Sequence, residues 1–89
     1  MGVDVDKPVN WDLLSVRERY ALIKWIFDEH QYRKVKSEGH IQTLDAFTNS
    51  AIKQVADALS PENRNKFLGM PLRRVVDFTW KLLKKQEGL

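Results

Sequence analysis

Tyr20-Ala21-Leu22-Ile23-Lys24-Trp25-Ile26-Phe27 is the densest apolar window of the chain, and Lys24 alone interrupts it. A run of this length suits either a buried strand or a buried helix segment. Its flanks favour helix. Ser15-Val16-Arg17-Glu18 matches the Ser-x-x-Glu capping box, in which each side chain satisfies an orphan backbone N–H of the other residue. No Gly or Pro falls between Asn10 and Gly39. On a helical wheel Val16, Tyr20, Ile23 and Phe27 form one apolar stripe, and Leu22, Trp25 and Ile26 a second. Arg17, Lys24, Asp28 and Gln31 are left to face water. A helix apolar over most of its circumference is a central element covered on two sides.

The first helix is therefore expected over about 12–35, with Arg33, Lys34 and Lys36 near its C-terminus, where the dipole favours cations, and Gly39 as a left-handed stop. Two alternatives stay open for residues 31–42: a basic loop, or a small hairpin pairing Tyr32–Lys36 with His40–Gln42. A second helix over 43–59 follows from Thr43 as N-cap and from Leu44, Phe47, Ala51, Ile52, Val55, Ala56 and Leu59 at helical spacing; Asn49, Ser50, Lys53, Gln54 and Asp57 take its wet side. Ser60-Pro61-Glu62 opens a short third helix over 61–68, with Ser60 as cap, Pro61 in the first turn and Phe67 and Leu68 inward; Gly69 ends it. A fourth helix over 71–86 buries Leu72, Val75, Val76, Phe78, Thr79, Leu82 and Leu83. Residues 1–10 read as an extended arm, after which Asn10 caps a turn at Trp11–Leu14, with Trp11 as a lid over the core. The expected architecture is all-α: a single helical domain of four helices, with helices two and four packed on the two stripes of helix one.

Eighty-nine residues suffice for one core; such a chain buries roughly 60–65% of the surface its unfolded form exposes. With 43% hydrophobic and 30% charged residues the composition is that of a globular protein. The absence of cysteine removes disulfides and thiolate metal sites. The acidic start Met1–Asp6 lacks the order of a signal peptide, and no apolar run approaches the ~20 residues of a membrane span. A cytoplasmic setting is expected.

The net charge of +3 hides an asymmetry: from Arg64 onward seven basic residues face two acids, whereas residues 1–63 carry eight bases and ten acids. Such a division points to an anionic partner for the basic part. The expected contact face lies on the last helix, at Arg73, Arg74, Trp80, Lys81, Lys84 and Lys85, with a secondary basic patch at Arg33, Lys34 and Lys36. Trp and Arg are enriched at binding hot spots, so a protein partner with an acidic surface is the first expectation. The alternative is salt-sensitive phosphate contact with DNA or RNA through the same residues. A helix-turn-helix built from helices three and four would put Pro71, Leu72 and Arg73 at its reading positions, and Pro and Leu are poor at reading base edges. His30 and His40 have no nucleophile or third group at a catalytic spacing and no ligand set for zinc, so neither an enzyme, a metal nor a cofactor is expected. Self-association through the wide apolar surface of helix one is a further expectation. Ile23→Ala should cost about 2–5 kcal/mol in urea denaturation; a change within ~0.5 kcal/mol, the range of surface substitutions, would place the first stripe at the surface.

Overall fold

Ser15 and Glu18 close the capping box reciprocally: Ser15 N–H donates to Glu18 Oε1 at 2.9 Å, and Glu18 N–H to Ser15 Oγ at 3.1 Å. They start helix α1, Val16–Glu29. The computed structural model describes residues 7–29 and 32–86, the last two by backbone alone. Most of the expected N-terminal arm, and His30 and Gln31, lie outside the described residues. After α1 come strands β2 (Arg33–Ser37) and β3 (His40–Leu44), then helices α2 (Ala46–Ala58), α3 (Pro61–Leu68) and α4 (Leu72–Gln86). Before α1 lie a two-residue strand β1, Val9–Asn10, and one 3-10 turn, Trp11–Leu13.

The architecture is thus mostly helical but not all-α. A three-stranded mixed sheet of order β1-β2-β3 corrects the expected four-helix bundle. β1 runs parallel to β2 with Val9 opposite Val35, and β2–β3 is an antiparallel hairpin running from Arg33↔Leu44 to Ser37↔His40. Helix one therefore ends at Glu29, short of the expected 35. The signal that outranks helix is period two. Arg33, Val35 and Ser37 are buried, while Lys34 and Lys36 alternate out to solvent. Gly39 does adopt a left-handed backbone, φ 80°, but so does Glu38 at φ 50°. Two positive φ values between paired Ser37 and His40 make a two-residue hairpin loop of the type whose twist matches its strands. Glu38 is not a residue that favours this region. Its N–H is held by Asp12 Oδ2 at 2.8 Å.

The shorter start of α2 follows from the hairpin. Thr43 is taken into β3, and Asp45 becomes the N-cap, accepting from Thr48 N–H at 2.7 Å. Ser60 caps α3 as expected, accepting from Asn63 N–H at 3.3 Å. Ile23, Ile26, Val35, Leu44, Ile52, Leu68, Leu72 and Val75 meet in one core. Both stripes of α1 are in use: Val16, Tyr20, Leu22 and Trp25 pack against this core. Phe27, of the first stripe, stays 39% exposed. α1 packs on α2 and α3, whereas α4 makes its main contact with α2, not with the second stripe of α1. A Cβ on Gly39 would meet nothing within 4 Å. Gly39→Ala should therefore clash with no neighbour but strain the left-handed backbone, at a cost of about 1–2 kcal/mol, read as a lower urea midpoint at unchanged m-value.

Candidate functional site

The last helix is aimed by the first described turn of the chain. Trp11 is fully buried, and its Nε1–H donates to Met70 O at 2.9 Å. Arg19 lies over the Trp11 ring at 4.9 Å, and donates to Trp11 O at 3.0 Å and to Leu68 O at 2.6 Å. Leu68 is the last residue of α3, so Arg19 places a cation on an orphan carbonyl at a helix C-terminus. Burial pushes the Arg19 guanidinium below its ordinary value, and the nearby Asp12 carboxylate works in the opposite direction. Asp12 reaches the hairpin, accepting from Ser37 Oγ–H at 3.1 Å and from Glu38 N–H. Ser37 Oγ in turn accepts from Leu72 N–H at 3.1 Å. Helix α4 begins after Pro71, which has no capping oxygen; Ser37 supplies one from the sheet.

From that anchor α4 buries Leu72, Val75 and Thr79 and exposes Arg73, Arg74, Asp77, Lys81 and Lys84. The Thr79 hydroxyl donates to Val75 O at 2.7 Å, which satisfies it within the core. Lys81 pairs with Asp77 at 3.1 Å, an exposed pair of little energetic weight. Among the described residues Arg73, Arg74 and Lys84 have no carboxylate within ion-pair distance. The Lys85 side chain lies outside the described residues. Arg73, Arg74, Lys81 and Lys84 therefore share the exposed side of α4, which has an aromatic residue at each border. On the Arg73–Lys84 side Trp80 is half-buried and stacks on Phe47, with centroids 5.5 Å apart and planes at 24°. On the Arg74–Lys81 side Phe78, expected in the core, is 42% exposed and leans on buried Phe67 at 5.6 Å. Trp80 thus covers Phe47.

Below Phe78 a groove of about 380 Å³ runs between α3 and α4, with Leu59, Phe67, Met70 and Phe78 as its apolar surface and Asn63 and Lys66 at its edge. An adjoining depression shares Met70 and Phe78 and adds Arg74, Asp77 and Lys81. On the opposite side Arg73 lines a smaller polar hollow of about 160 Å³ with Ser37, Glu38, His40 and Gln42. The first turn of α4 thus faces the hairpin, and Leu72 is fully buried. That position does not suit a reading helix entering a major groove.

The secondary basic patch does not form as expected. Strand alternation sends Lys34 and Lys36 to the outer sheet face and turns Arg33 inward, 4% exposed and 6.0 Å from the Trp25 ring centre. Arg33 has one long contact, Nη2 to Lys7 O at 3.4 Å, and its Nε and Nη1 find no partner among the described residues.

Spacing also misassigned Asn49 and Phe47. Asn49 is fully buried and donates to Ile23 O at 2.8 Å, whereas Phe47 is 76% exposed. Arg19 carried no sequence signal beyond its place one residue before the apolar window. Asp57 accepts from Lys53 at 2.6 Å and from the Tyr20 hydroxyl, while Arg64 lies over the Tyr20 ring at 4.6 Å. Burial opposes the Asp57 charge, but the bonds from Lys53 and Tyr20 outweigh it and hold its pKa below the usual value. This cluster braces α1, α2 and α3. Among the described residues no three His, Asp or Glu side chains converge as metal ligands, and no helix is long and apolar enough to cross a membrane.

No family model, curated protein or solved structure matches the chain. Arg19→Lys keeps the charge but loses the planar fork that spans Trp11 O and Leu68 O. It should lower stability by about 1–3 kcal/mol in urea denaturation, the range for a charge-assisted hydrogen bond left unmade.

Proposed function

We propose that this chain is a non-catalytic binding module that engages an acidic surface of a protein partner through the exposed face of α4. The observation behind this is the arrangement of that face: Arg73, Arg74, Lys81 and Lys84 exposed on one rigid helix, against the single acid Asp77, between two partly exposed aromatic residues. Charges at such a surface steer encounter and select partners by sign, and aromatic residues at its borders supply the apolar burial that charge alone does not. A four-turn helix fixed at its start by Ser37 presents these groups with little ordering left to do on binding.

The test is the double reversal Arg73→Glu with Lys84→Glu. Both side chains are exposed and outside the described ion pairs, so helicity and melting should stay at wild-type values. Capture of the partner from nuclease-treated host extract should fall more than ~10-fold, and wild-type capture should weaken as salt shortens the Debye length below ~8 Å. Undiminished capture by the double variant removes α4 from the interface. A gel shift with duplex that survives at low salt and collapses at physiological salt, with no protein captured, replaces the protein partner by nucleic acid.

A further inference from the structure

Among the described residues, the groove between α3 and α4 combines shape, apolar surface and charge at the candidate face. Phe67 is fully packed, but Phe78 is left 42% exposed and Met70 half-buried above it. An aromatic ring held half out of the core beside other apolar side chains marks an interaction surface. Lys66 stands on the α3 side, and Arg74 and Lys81 stand on the α4 side. Three cations and one acid, Asp77, therefore border an apolar surface whose walls are two helices. Among the described residues no buried polar group lines the floor, so none there would orient a small polar ligand. A second copy of the chain fits poorly, because an isologous contact would set this basic rim against the same basic rim of the other copy.

We propose that this groove docks an amphipathic helix of the protein partner, with large apolar side chains set three or four residues apart on Phe67, Met70 and Phe78 and carboxylates against Lys66, Arg74 and Lys81. The inference rests on the protein-binding role of α4 and narrows it to the Phe78 border. Helix-in-groove recognition uses anchors at this spacing because they share one face of the incoming helix. Trp80, already stacked on Phe47, lies on the opposite border and has a structural partner. Carboxylates on both flanks of the apolar stripe match a cationic edge on each wall, which sets the sign of the accepted sequence.

The experiment is a display selection of random 16-residue peptides on the intact chain, followed by fluorescence polarisation with the strongest peptide. Enriched sequences should pair large apolar residues at helical spacing with flanking Asp or Glu. Phe78→Ala should weaken the peptide at least ~10-fold, and so should the rim reversal Lys66→Glu with Arg74→Glu, which leaves the core untouched if Phe78→Ala disturbs folding. Lys34→Glu with Lys36→Glu changes net charge equally on the outer sheet face, and should weaken the peptide far less. The inference is overturned if no peptide is enriched, if the enriched peptides lack carboxylates, or if the sheet-face reversal weakens binding as much as the rim reversal. Host-partner capture separates this from the broader reading. Capture that is lost with Arg73→Glu/Lys84→Glu but intact with Phe78→Ala and the rim reversal sinks the groove and leaves the α4 face standing. Capture unaffected by every variant sinks both.

Discussion

Trp11 and Asp12 hold the molecule together through adjacent residues that reach in different directions. The indole of Trp11 fixes the α3–α4 turn through Met70 O, and its ring carries the Arg19 guanidinium. The Asp12 carboxylate fixes the hairpin turn through Ser37 and Glu38. Ser37 then caps α4. Helix α4 is therefore set at its start from two sides, by the turn before it and by the sheet beside it. Buried polar groups are costly unless fully bonded, and here most of them are, so the network specifies one arrangement. It adds directional bonds to the packing of α3 and α4 on α2, and so helps to set the angle between them.

That angle creates the functional geometry. α3 and α4 touch at Phe67 and Phe78 but leave an open groove beyond them. The basic residues gain meaning from this placement. Lys and Arg on a solvated helix are ordinary, and their pairs contribute little to stability. The same charges on the rim of an apolar groove become a filter for the sign of whatever fills it. The Tyr20–Asp57–Lys53 cluster illustrates the contrast: its groups are tied to one another across α1 and α2, and their work is internal.

Much of the helical part was legible. The Ser15/Glu18 and Ser60 caps, the end of α3 at Gly69 and the buried Phe67 and Leu68 all follow from local chemistry, and local chemistry survives in the fold. The hairpin was one of three alternatives for residues 31–42 and not the one preferred. Cations at 33–36 and a glycine at 39 satisfy a helix terminus as well as a strand and turn, and only pairing with His40–Leu44 and with Val9 separates them. Once the hairpin forms, period two splits Arg33 from Lys34 and Lys36, and the secondary patch divides. Asn49 and Phe47 failed for a related reason. Spacing says which residues share a face, but the neighbours decide which face is covered; the Ile23 carbonyl claimed Asn49.

By itself the sequence determined a strongly apolar α1, capped helices and a basic α4, because these depend on residue type and near-neighbour spacing. The tertiary structure alone decided that β2 is the middle of a sheet, that Ser37 caps α4, that Trp80 rests on Phe47 and that Phe78 stands at a groove. Each of these joins residues distant along the chain. Such contacts have no local signature, since they are set by which apolar faces meet and which buried polar atoms must then find partners.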